Sequence, residues 1–117
     1  MTRSTSFASS FLSVRGALAS LALALGLVAC SDSSTGITEQ DIACPSDSTL
    51  TYANYGQAAI STWCLSCHSN FSTQAKVKAS ANQIISEAVF SSAMPEDKDM
   101  SNDERTKLGQ WLRCGAP

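Results

Sequence analysis

Histidine is the scarcest chemistry-bearing residue here: there is one, His68, in 117 residues. A site that needs two imidazoles from a single copy of the chain is thereby excluded. Proline is nearly as rare, three in all, with none between His68 and Pro95. Positive charge is thin too, eight Lys and Arg against ten Asp and Glu for a net of −2, which disfavours nucleic acid as a partner. The longest apolar run, Ala17 to Val28, is too short to cross a bilayer as a permanent helix. No internal repeat, βαβ succession or hairpin signal occurs, and an all-α domain is what remains.

What is present begins with a targeting pattern. Arg3 and Arg15 precede that apolar run, and Leu27-Val28-Ala29-Cys30 ends it, so residues 1–29 read as an export signal. The ending resembles the lipobox of bacterial lipoproteins, in which the cysteine is acylated and becomes the first mature residue. Cys30 is the lipidation site under this reading, and its acyl chains hold the protein to the membrane. The alternative is an unpaired cysteine at a helix end. Ser31 is not the aspartate that often retains such proteins in the inner membrane, so an outer-membrane anchor facing the periplasm is expected. Without Arg3 and Arg15, six basic residues of the eight face ten acidic ones, a net of about −4.

Residues 30–43, rich in Ser, Thr, Asp and Gly with Ile37 and Ile42 as the only large apolar side chains, read as a flexible tether. The folded unit is then 44–117, a domain small enough that its apolar core alone is marginal. Tyr52, Tyr55, Ala59, Ile60 and Trp63 share a face of a helix over 51–63. Ser80 and Gln83 match a capping box that opens a second helix, with Ile84, Ile85, Ala88 and Val89 as its stripe and Pro95 as its limit. Ser101 and Glu104 match another box, followed by Leu108, Trp111 and Leu112 on one face and Gly115 as a stop. Residues 72–79, where Lys76-Val77-Lys78 alternates, are ambiguous.

The first of these helices delivers the chain into Cys64-Leu65-Ser66-Cys67-His68. A C-x-x-C-H run reads as covalent attachment of one haem c: two thiols bond the vinyl groups along one edge of the porphyrin, and the adjacent imidazole reaches the iron. Two readings compete with it. Zinc would need four ligands, which Cys44, Cys64, Cys67, His68 and Cys114 could supply between them. A dithiol oxidoreductase would use the C-x-x-C pair alone, although no βαβ pattern accompanies it.

The domain resembles a small class I cytochrome c. Besides CLSCH it carries Met94-Pro95 and the ending Leu108 to Pro117, LGQWLRCGAP, similar to the L-x-x-W-[IL]-x-x-G-A-P close of many bacterial cytochrome domains. The resemblance implies a small cytochrome c-like fold, with amino- and carboxy-terminal helices crossing beside a buried haem and Gly56 allowing close approach to Leu108 and Trp111. It also implies His68 as proximal ligand and Met94 as distal ligand, with Met100 as the substitute. Met94 as plain packing at a helix end is the alternative. The protein would be a monomeric electron carrier, not an enzyme, working with a redox partner protein. If neither methionine reached the iron, a five-coordinate haem protein binding a gas or peroxide would be the reading instead. The connection from His68 to Met94 is shorter than in many relatives, which exposes the haem edge and lowers the potential. No proline carbonyl is available there to hold the second imidazole nitrogen.

Cys44 and Cys114 are needed for neither haem nor lipid. In an oxidising compartment they are expected to form a disulfide across the domain ends, the alternative being two buried free thiols. Glu96, Asp97, Asp99, Asp103 and Glu104 gather around the methionine segment, either as a solvated loop leading to a helix start or as a docking surface for a basic partner.

Overall fold

The structure, a computed structural model, describes residues 33–117. The expected export signal and the expected lipidation site Cys30 lie outside the described residues.

The described residues are helical and contain no strand; Ser34 and Ser91 make one isolated bridge. Thr51 opens the first helical stretch. Its hydroxyl accepts from the Asn54 N–H at 3.1 Å, while the Asn54 side-chain oxygen accepts from the Thr51 N–H at 2.7 Å. This reciprocal box satisfies two donors that a helix start otherwise leaves free. A π-helical turn over Tyr52–Gly56 then runs directly into α1, Gln57–Trp63. Tyr55, Ala59 and Ile60 are buried, with Tyr52 and Trp63 packed beside them, which is the face the apolar spacing predicts.

A 3-10 turn over Ser69–Phe71 leads to α2, Gln74–Ala79. The ambiguous stretch is thus helical, because Thr73 is extended and its hydroxyl accepts from the Lys76 N–H. The box expected at Ser80 and Gln83 does not form. The Ser80 N–H bonds the carbonyls of Lys76 and Val77 as the end of α2, and its backbone carries the chain straight on into α3, Ala81–Ile84, without a side-chain cap. A second π-helical turn, Ile85–Val89, extends α3 and carries the buried Ile85, Ala88 and Val89.

The last helix, α4, covers Asn102–Arg113. The Ser101 hydroxyl accepts from the Glu104 N–H at 3.3 Å, and Asp103 and Glu104 stand at the positive end of the helix dipole. At the other end Gly115 takes φ of 86°, so that the Ala116 N–H reaches the Trp111 carbonyl and the Gly115 N–H the Leu112 carbonyl. That pairing satisfies the carbonyls a helix end leaves free, and glycine occupies the left-handed position without penalty.

Trp111 is fully buried and lies over Gly56: a Cβ added to Gly56 would fall 2.1 Å from Trp111 Cζ2. Tyr52 stacks on the indole at 6.4 Å between ring centroids, and Tyr55 meets it edge-on at 6.0 Å. Close approach at Gly56 is therefore what lets the start of the first helical stretch cross α4. Cys44 and Cys114 form the expected disulfide, joining positions 70 residues apart across this crossing. Closing a loop of that length stabilises by about 4 kcal/mol in the chain-entropy model.

Residues 33–43 are docked, contrary to the expectation of a flexible tether. Ile42 is fully buried, and it sits in the notch left by Gly109, where an added Cβ would lie 2.5 Å from Ile42 Cγ2. The Thr35 N–H and hydroxyl donate to the carbonyls of Phe90 and Val89, and the Gln110 side-chain amide donates to the Asp41 carbonyl. Arg113 pairs with Glu39 at 2.6 Å on the surface, worth little by itself. Burial of one isoleucine contributes about 2 kcal/mol, enough with these bonds to hold a short polar segment.

Three substitutions test this packing by urea unfolding. Ile42→Ala is expected to cost about 2–5 kcal/mol, where a free tether would show less than about 0.5 kcal/mol. Gly56→Ala should cost about 1–3 kcal/mol by driving a methyl into Trp111. The Tyr55 hydroxyl is buried without a hydrogen-bond partner, so Tyr55→Phe should leave stability unchanged or raise it by up to about 1 kcal/mol.

Candidate functional site

Cys64 caps the carboxyl end of α1, its N–H bonding the Ile60 carbonyl at 2.9 Å. The chain then coils back on itself. The N–H groups of Cys67 and His68 both reach the Cys64 carbonyl, at 3.3 and 2.9 Å, so the five-residue run forms one compact turn. The next N–H to bond back is Phe71, to the His68 carbonyl at 3.0 Å, and the His68 and Phe71 rings lie 5.5 Å apart and tilted. Local backbone bonds thus bring Cys64, Cys67 and His68 into one turn.

All three line a pocket of about 270 Å³. Trp63 and Phe71 continue its wall on the cysteine side; α3 and its π-helical turn contribute Gln83, Ile84, Glu87 and Ala88; and the loop before α4 contributes Met94, Pro95, Glu96, Asp97 and Met100. Cys64 and Met100 are buried, His68 and Met94 half-buried, and Cys67 exposed. Every residue expected at the haem, Cys64, Cys67, His68, Met94 and Met100, therefore meets at one cavity. Cys44 and Cys114 are joined to each other elsewhere in the fold.

Burial pushes the Cys64 thiol up to about 11, an effect that the charge of Lys98 only partly offsets. The Lys98 ammonium also donates to the Thr62 carbonyl and so ties the methionine loop to α1. Neither imidazole nitrogen of His68 has a hydrogen-bond partner among the described residues, and its ring contact there is with Phe71.

The fit to a haem rests on the donor set and the wall chemistry. Two thiols and an imidazole come from one turn and two thioethers from a different segment, and the wall between them is largely apolar. A volume near the lower end of the ~300–1,000 Å³ usual for cofactor pockets would enclose a flat macrocycle only in part. One edge would then face solvent, as the short connection to Met94 implies.

Reading the residues in sequence overlooked Arg105. It is the buried charged residue of the described core, and four carbonyls of the 88–100 segment accept from it. A signal for this existed: Arg105, Leu108, Gly109 and Leu112 follow the i, i+3, i+4, i+7 pattern of one helix face, which puts an arginine on the apolar stripe of α4. Comparisons with protein-family models, with curated protein sequences and with solved structures returned no match.

Thiol labelling checks the site's electrostatics. In haem-free protein at neutral pH, iodoacetamide should modify Cys67 well before Cys64, with Cys64 reactivity still rising tenfold per pH unit through pH 10, as followed by peptide mass spectrometry. Equal rates at pH 7 would contradict the burial of Cys64.

Proposed function

We propose that this chain is a lipid-anchored, monohaem c-type cytochrome that carries single electrons in the periplasm. Cys64 and Cys67 bond one haem c, His68 is the proximal ligand, Met94 is the distal ligand with Met100 as its substitute, and acylated Cys30 holds the protein at the membrane. The observation that carries the reading is the convergence of two thiols, an imidazole and two thioethers on one largely apolar pocket. The close packing of Gly56, in the first helical stretch, against Trp111 of α4 supports the same reading, because a small cytochrome c-like fold would bring its first and last helices together.

When bound, the haem supplies an iron that gains and loses one electron. The chain's own residues do the rest. Phe71 packs against the His68 ring and limits how it turns. Trp63, Ile84 and Ala88 line the inner wall, where they would keep water from the group. The open mouth leaves an edge for a redox partner protein, and the exposed carboxylates of Glu87, Glu96 and Asp97 at the pocket make a cationic partner surface the better match. If His68 and Met94 both held the iron, a substrate would find no place on it, which favours a carrier over an enzyme.

Two observations weigh against the haem-free readings. The bond between Cys44 and Cys114 removes both from the cysteine and histidine set that a structural zinc site would draw on, leaving Cys64, Cys67 and His68 of the five. Cys64 lies at the carboxyl end of α1, where the helix dipole opposes a thiolate, and burial raises its pKa further; a reactive dithiol needs the reverse.

Carbon monoxide tests the ligation. The reduced protein at neutral pH is expected to bind it slowly or not at all, and the ferric protein to show the near-infrared methionine-to-iron band. Met94→Ala should abolish that band and open the iron to carbon monoxide, while Met100→Ala should keep it. Rapid binding by the unsubstituted protein would support the five-coordinate alternative and contradict the carrier.

A further inference from the structure

Arg105 is only 4 % exposed and forms no ion pair among the described residues. Burial lowers its pKa, and the charge of Asp99 partly opposes this. A guanidinium inside a small core, with no carboxylate bonded to it, is costly unless its donors are well used. Here they are used on one segment alone. Nε donates to the Met100 carbonyl at 3.1 Å, and Nη1 is shared among the carbonyls of Ala88 at 2.6 Å, Met94 at 2.7 Å and Ser91 at 3.1 Å.

Two of these four acceptors are the backbone carbonyls of Met94 and Met100, the methionines that line the pocket among the described residues. The other two belong to the end of the π-helical turn and the start of the loop. A single planar fork on α4 therefore pins both ends and the middle of the segment from which the thioethers reach the cavity. A leucine on the same stripe would fill the space but leave four carbonyls to find other donors. The Met94 N–H bond to the Glu87 carbonyl at 3.2 Å is the additional backbone tie that holds this methionine to the π-helical turn.

We propose that Arg105 is the positioning residue of the sulfur wall: it sets the backbone of Met94 and Met100 so that a thioether would be held at the pocket, where it could serve a bound metal. Its consequence for the metal rests on the haem reading; its effect on the loop does not. Lysine would not reproduce the whole set, because one ammonium cannot stand both where Nη1 meets Ala88, Ser91 and Met94 and where Nε meets Met100.

The test compares Arg105→Lys and Arg105→Gln with the unsubstituted holoprotein, after haem staining on a denaturing gel and far-ultraviolet circular dichroism show that each carries haem and is folded. Loss of charge-assisted bonds to the loop is expected to reduce the fraction with methionine on iron about tenfold or more. That loss would be read as a fading near-infrared band and the appearance of carbon monoxide binding. Amide hydrogen exchange at Met94 should speed up about tenfold in either variant, with or without haem. A full band together with unchanged exchange in folded variants would overturn the proposal. Absence of haem from the unsubstituted protein would sink the haem reading instead, and the exchange comparison on haem-free protein would still decide the role of Arg105. Should Arg105→Gln fail to fold, Arg105→Lys, which keeps the charge, carries both measurements.

Discussion

Trp111 resting on Gly56 is the contact on which the rest of the molecule depends. The missing side chain at Gly56 lets an indole approach the helix backbone within a distance that no Cβ would permit, and Tyr52 and Tyr55 close on the ring from two sides. This fixes how the first helical stretch lies across α4. Cys64 caps that stretch at its far end, so the direction in which the C-x-x-C-H turn faces follows from the same contact. The disulfide between Cys44 and Cys114 reinforces the crossing by joining the chain just ahead of one helical stretch to the end of the other. In a domain this small, a covalent clamp supplies stability that the apolar core alone would not.

Below that crossing, α4 organises two segments that have no regular structure of their own. Its glycine at 109 accepts Ile42 from the amino-terminal segment, and its arginine at 105 binds the carbonyls of the methionine loop. One helix face therefore carries a notch for an apolar side chain and a fork for backbone oxygens, one turn apart. The pocket results from this division of labour: a rigid turn at the end of α1 supplies the thiols and imidazole, and a loop held from α4 supplies the thioethers.

Much of this was legible in the sequence where the signals are local. The start of α4 at Ser101, its stripe of Leu108, Trp111 and Leu112, and its stop at Gly115 each depend on neighbours within one or two turns, and the structure has them where expected. The C-x-x-C-H run is equally local, and the two methionines do reach its pocket. What was misread depends either on distant partners or on two local signals that compete. Ile42 in a polar stretch signals a tether until Gly109, far along the chain, provides a place to bury it. Ser80 matched a capping box, but the preceding helix already claimed its N–H. Thr73 capped a helix that alternating lysines disguised as extended chain. Arg105 was passed over because arginine is ordinarily a surface residue, although its position on an apolar stripe pointed inward.

The central claim is that the turn from Cys64 to His68 holds a covalently bound haem, and intact-mass spectrometry after expression with a haem attachment apparatus tests it most directly. The account predicts a single species heavier by one haem than the same protein expressed without that apparatus, with neither Cys64 nor Cys67 available to alkylation, and loss of that added mass when both cysteines are replaced by alanine. A chain of unmodified mass in which both thiols react, produced alongside a control cytochrome that does acquire its haem, would contradict it.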